Sequence, residues 1–223
     1  MDLKKQLEFF NPNDHSNEEI HIIGVGAIGS HLVEMLVRMG FEDMHIYDFD
    51  EVTPHNLANQ MYYSDQVGQT ELNSISETKD FINPDCTLRL HPNGWVPGTR
   101  LSGHVFLAVD DIDLRRAIFE ENKNNVNLVT LSDYRMGLMD AQHYFACARN
   151  DKDKMKFEST MQFSHEEAKA STPISACGTS LNVLPTVRLI TALGIANWMN
   201  FCKGEKHRTM ISMNTFNLDI TSF

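Results

Sequence analysis

The sequence predicts an α/β fold: a Rossmann-like, doubly wound, mainly parallel sheet flanked by helices, with antiparallel strands added in the C-terminal half. Three observations carry this reading. Residues 20 to 62 run as apolar strand, glycine turn, amphipathic helix and a second strand ending in acids. Strands and helices then keep alternating as far as Leu131, the order that builds a parallel sheet. Beyond Gly137 extended segments dominate, with one long apolar helix among them. A chain of 223 residues that is 42% hydrophobic can bury one good-sized core, so a single domain is expected over 1–223. Its parts are an N-terminal arm (1–19), a Rossmann-like core (20–131), and antiparallel strands with a late helix (132–223).

The elements follow in order. Ile20, Ile22, Ile23 and Val25 make an apolar run short enough for a buried parallel strand. Gly24-Val25-Gly26-Ala27-Ile28-Gly29-Ser30 follows without a linker. Ile28, Leu32, Met35, Leu36 and Met39 then recur at the spacing of one helical face, and Gly40 stops the helix. Met44 to Tyr47 is the second strand, ending in Asp48-Phe49-Asp50. Glu51 to Gln60 is a proline-punctuated loop, and a helix is expected from Ser64 to Phe81. Thr87 to Leu90 and His104 to Val109 read as strands, separated by an irregular loop around Trp95. A helix from about Leu114 to Asn124 and a strand from Asn127 to Leu131 complete the parallel part. Gly137 to Ala148 reads as a strand, Asn150 to Lys156 as a charged turn, and Ser164 to Ala170 as a helical turn. Ser171 to Ser180 is a small-residue loop, Leu184 to Met199 a helix apolar nearly all round, and 208–223 two strands about a turn.

Composition narrows the partners. A net charge of −11 argues against a nucleic-acid backbone, which needs clustered Lys and Arg. Cys86, Cys147, Cys177 and Cys202 are far apart and form no CxxC pair, so reduced thiols are expected rather than zinc or disulfides. The amino terminus lacks the apolar core of a signal peptide, and Pro185, Arg188 and several Asn interrupt the apolar stretch 181–201. A soluble, cytoplasmic protein with no membrane partner is the expectation.

A glycine turn between strand and helix points to a phosphate. Gly24 permits the sharp turn, Gly26 permits close approach of the backbone, and Gly29 permits helix and strand to pack. The helix start adds unpaired N–H groups and a partial positive charge. Asp48 and Asp50 stand where an acid holds ribose hydroxyls. Asp110 and Asp113 stand at a later strand tip, across the same crevice, and paired carboxylates beside a phosphate suit Mg²⁺. Asp111 and Asp113 equally suit capping the next helix. Arg115 and Arg116 follow Asp113, as crevice cations or as helical surface charges. Cys177, in a glycine-rich loop, is either a nucleophile or a small buried residue.

Taken together, Gly-x-Gly-x-x-Gly-Ser, Asp48-x-Asp50-x-Val52, Asn56-Leu57-x-x-Gln60, Val67-Gly68, Asn83-Pro84 and Asp110-x-x-Asp113 resemble the ThiF/MoeB/HesA family, the ubiquitin-activating-type adenylyltransferases. The resemblance implies an ATP-binding fold, usually a homodimer, that adenylates a carboxylate, often the C-terminus of a small ubiquitin-like or sulfur-carrier protein or a peptide. By position it implies that Gly24, Gly26, Ala27 and Gly29 hold phosphates and Asp48 the ribose. Asp50, Asn56, Gln60 and Asp110 would line the nucleotide site, and Asp113 would bind Mg²⁺. Apart from the resemblance, Arg115 is the candidate catalytic cation and Cys177 the candidate thioester nucleophile. Two family cations are missing. Asn59 stands where the family has Arg, and Glu71 where it has Lys. A glutamate carboxylate there is expected to repel the triphosphate. The competing readings are a nucleotide-binding pseudoenzyme of the same fold and an NAD- or FAD-dependent oxidoreductase.

Overall fold

The computed structural model describes residues 1–171 and 181–223. Its centre is an eight-stranded sheet. The strands are β1 (Ile20–Ile23), β2 (Asp43–Tyr47), β3 (Thr87–His91), β4 (Gly103–Leu107), β5 (Leu128–Met136), β6 (Asp140–Cys147), β7 (Met210–Asn214) and β8 (Asp219–Ser222). Their order is β3-β2-β1-β4-β5-β6-β7-β8. The first five in that order are parallel, with Ile20 opposite His104 and His21 opposite His45. The last three are antiparallel. The strand order reverses beside β1, so a crevice opens at the carboxyl ends of β1 and β4, where open sheets of this kind bind ligands.

Every residue of β1 and β4 is buried, because helices cover both faces, and such strands read as unbroken apolar runs. One face packs under α1 (Ala27–Met39), α2 (Glu71–Asp80) and α6 (Leu184–Cys202). There Trp198 meets Phe10, Phe41 and Phe106. The other face packs under α3 (Ile112–Asn122) and α4 (Asp151–Ser159), where Phe119 stacks on Phe157. Gly40 ends α1 in a left-handed conformation, its N–H returning to Leu36 and Val37. A short α5 (His165–Ser171) precedes the undescribed residues.

Several boundaries differ from the sequence reading. The helix expected from Ser64 starts at Glu71, because Gly68 sits at φ 91° and Thr70 caps the helix through Asn73. The charged segment after Asn150 is the helix α4, capped by Asn150 and anchored by the buried Phe157. The strand expected to stop at Leu131 continues to Met136, its polar middle buried, with Asp133 paired to Arg115 and Arg135. The late helix is covered within the chain: Val187, Ile190, Ile195 and Trp198 are buried, while Pro185, Arg188, Leu189, Ala192 and Ala196 face out. Among the described residues no helix is long and apolar enough to cross a membrane.

Candidate nucleotide site

The glycine turn is built by contacts that demand glycine. Gly24 sits at φ 90° and donates its N–H to the Tyr47 carbonyl across the strand pair, at 2.8 Å. A Cβ on Gly29 would lie 1.8 Å from the Gly24 oxygen, so any side chain there would force turn and helix apart. Gly26 is different. The nearest atom to a Cβ there is Gln60 Nε2 at 3.6 Å, so the backbone lies open to an incoming group. Ala27 begins α1, whose N-terminal N–H groups face the same opening.

Asp48 fixes this turn to the tip of β2. Its Oδ2 accepts the Val25 N–H at 2.6 Å, and its Oδ1 accepts Phe49 and Asp50 N–H at 2.7 and 2.8 Å. Tyr62 closes the frame by donating its hydroxyl to the Val25 carbonyl at 2.7 Å. The loop before it is fastened to α1: Ser30 Oγ accepts the Met61 N–H at 3.1 Å, and His31 Nε2 meets the Asn59 carbonyl at 3.1 Å. Asn56 shapes its own loop, accepting the Thr53 N–H at 2.6 Å. The carboxamide of Gln60 bonds Glu71, and its Oε1 is buried without a partner.

Acids dominate the opening. Asp50 has its pKa raised by burial and by the charges of Asp48 and Asp110. Glu71 is 3% exposed, and burial, then Asp48 and Asp50, push its carboxyl up to about 8; the Gln60 hydrogen bond pulls it partly back. A carboxyl so placed is largely protonated at neutral pH. The repulsion of phosphate expected of a charged Glu71 thus meets surroundings that favour the protonated form of its carboxyl.

The helix after Asp110 is arranged otherwise than the sequence suggested. Asp111 caps α3, accepting the Asp113 N–H at 2.8 Å. Asp113 pairs with Arg116 at 2.8 Å, and Arg116 also donates to the Met161 and Phe163 carbonyls. Arg115 is buried rather than facing the crevice. It pairs with Asp133 and donates to the Val109 carbonyl, so it braces the strand tip that carries Asp110. Cys177 lies outside the described residues.

Sequence reasoning missed three participants. Tyr62 carries no local signal beyond its loop. His31, inside α1, looked like any helical position. Arg188 is exposed on α6 and approaches Met61 Sδ at 4.0 Å, beside the Asn59–Met61 loop where the family's arginine is absent. Only the packing of α6 against α1 could reveal it, since 127 residues separate the pair.

Comparison with known proteins agrees with this geometry. The model of the ThiF family matches residues 11–220. The ubiquitin-like modifier-activating enzyme 5 of Oryza sativa subsp. japonica is 41% identical over 69 residues, 31% of this chain and 16% of that protein. Its namesake in Drosophila mojavensis is 32% identical over 75 residues, 34% of this chain and 19% of that protein. The chain therefore matches under a fifth of the length of these relatives. Among solved structures, E. coli MccB crystallised with ATP superposes with a TM-score of 0.72 at 14% identity, covering 95% of this chain and 64% of that one. PaaA superposes with a TM-score of 0.71 at 12% identity, covering 93% and 64%. With the family model spanning nearly its whole length and the glycine turn, strand tips and mixed sheet in place, this chain belongs to the ThiF family.

Proposed function

We propose that the chain binds ATP at the glycine turn and adenylates a carboxylate at the C-terminus of a peptide or small protein. The observation that carries this is the open backbone at Gly26, held in place by Asp48 and facing the start of α1. In the reaction a carboxylate oxygen attacks the α-phosphorus, the bond from that phosphorus to the α,β-bridging oxygen breaks, and pyrophosphate leaves with that oxygen. The turn N–H groups of residues 26–29 would cradle phosphate, and the remaining lone pairs of Asp48 would accept ribose hydroxyls. Asp50, Asn56 and Gln60 would line the base and ribose, with neutral Glu71 steadying Gln60. Arg188 would supply positive charge from the side where Asn59 cannot. Arg115 would act as a positioning residue through Val109 and Asp133.

The charges of Asp48 and Asp110 both act on Asp50, and a hard divalent cation takes one or two such carboxylates together with phosphate oxygens. Mg²⁺, when bound, would neutralise phosphate charge, and Asp113 would hold it with Asp110 beside it, giving up its pairing with Arg116. The alternative, a nucleotide-binding protein that does not adenylate, is favoured by Asn59 and by the buried acid Glu71. Cys177 as a thioester nucleophile remains part of the first reading. A homodimer is also part of it: β8 is exposed throughout, and Phe216, Leu218, Ile220 and Phe223 form an uncovered apolar edge.

Pyrophosphate exchange with ATP-Mg²⁺, read beside thermal shift, separates these readings. ATP-Mg²⁺ should raise the melting temperature more than NAD or FAD, and exchange should be measurable with the right peptide. Gly26→Val should remove the ATP shift while the unliganded protein melts normally, and Arg188→Ala should weaken it. A shift without exchange supports the non-adenylating reading. A larger shift with NAD ends both.

A further inference from the structure

We propose that His15, Glu18, His104 and Cys202 form a structural zinc site that clips the N-terminal arm to the core. The donors come from the turn Pro12–His15, the approach to β1, the second residue of β4 and the last residue of α6. A ring nitrogen of His15, one of His104 and the Cys202 thiol all lie within 4.8 Å of one another. Glu18 Oε2 stands 3.0 Å from His15 Nδ1 and 3.0 Å from His104 Nε2. Around tetrahedral zinc, with bonds of about 2.0–2.3 Å, neighbouring donors sit roughly 3.3–3.6 Å apart. One ion can gather this set with small side-chain movements.

The chemistry of the set selects the metal. One thiolate, two imidazoles and one carboxylate make four donors of the types zinc prefers, and filling all four positions describes a structural site. Two negative donors balance a dication, and binding releases the thiol proton to solvent. His104 is already oriented: Thr130 Oγ1 lies 2.8 Å from its Nδ1, which leaves Nε2 facing Glu18. Trp198 packs edge-on to the His104 ring at 5.2 Å, and Phe10 stacks on His15 at 5.4 Å. His15 and Cys202 also line an open pocket of about 410 Å³, which provides an entry path. The donors stand at positions 15, 18, 104 and 202, so no spacing motif could announce them, and the expectation against zinc rested on scattered cysteines and histidines with no CxxC pair. A second group, Glu19, His21 and His45, lies on the opposite face of β1 and offers three donors without a thiol.

The test uses the full chain, stripped of metal and reloaded with Zn²⁺ or Co²⁺. Elemental analysis should find one zinc per chain, and Co²⁺ should give a thiolate-to-cobalt charge-transfer band with tetrahedral d–d absorption. Cys202→Ser should abolish the band, and both it and His15→Asn should weaken zinc binding by roughly 10-fold or more, on the scale of even outer-shell changes. Both positions are only partly buried, so these variants should fold, which circular dichroism verifies. His45→Ala should leave binding unchanged. No metal retained by the folded wild type, a cobalt spectrum without the thiolate band, or metal lost in His45→Ala but kept in Cys202→Ser each overturns the proposal.

Discussion

Glu71 links the candidate site to pH. Its ordinary pKa is 4.5 and in the fold it lies at about 8. Between these values the native state keeps a proton that the unfolded chain has released, so stability must fall as pH rises through this window. Each pH unit there removes up to about 1.36 kcal/mol, and the whole window on the order of 3–5 kcal/mol once solvent reaching the site is allowed for. Glu71→Gln keeps the shape and the Gln60 contact while removing the titration. Urea denaturation at pH 5 and pH 8.5 measures the difference. The variant should match the wild type at pH 5 and exceed it by a few kcal/mol at pH 8.5. Parallel stability profiles for the two proteins would refute the reasoning, because they would mean that the buried carboxyl is either already paired or reached by water. Glu71→Lys should act further, pairing with Asp48 and Asp50 and tightening ATP binding.

Two further outcomes follow from packing. Arg115→Met should destabilise the protein by about 3–5 kcal/mol by leaving Asp133 short of a partner in a fully buried place, measured by thermal melting, even though Arg135 still pairs with that carboxylate. Gly194→Ala should cost about 1–3 kcal/mol, because its new methyl group would stand 2.3 Å from Tyr134 Cε1 inside the core.

The parallel half was legible because burial on both faces writes itself as Val, Ile and Leu runs, and because Gly24 and Gly29 are dictated by backbone contacts that only glycine allows. The glycine turn and the two strand tips of the site were legible for the same reason. What failed had non-local causes. The polar middle of β5 reads as a break in a strand, yet Asp133 is buried there because Arg115 meets it from α3 and Arg135 from two residues further along the same strand. The helix α4 reads as a charged turn because only Phe157 and Asp153 of its nine residues are buried. Arg115 is placed by sequence on the right helix, but one residue's rotation decides between crevice and core. Glu71 shows the same limit for charge: its type is visible, but its protonation depends on burial and on two acids about twenty residues away.

The opening turn of α3 has a mechanical consequence. Arg115 grips the carbonyl of Val109 and the carboxylate of Asp133, while its neighbour Arg116 grips the carbonyls of Met161 and Phe163. Two adjacent guanidinium groups thus yoke the rim that carries Asp110 to the segment between α4 and α5. Asp113 shares Arg116 with the Met161 and Phe163 carbonyls, so one guanidinium group ties the first turn of α3 to residues 161–163 on the same face of the sheet.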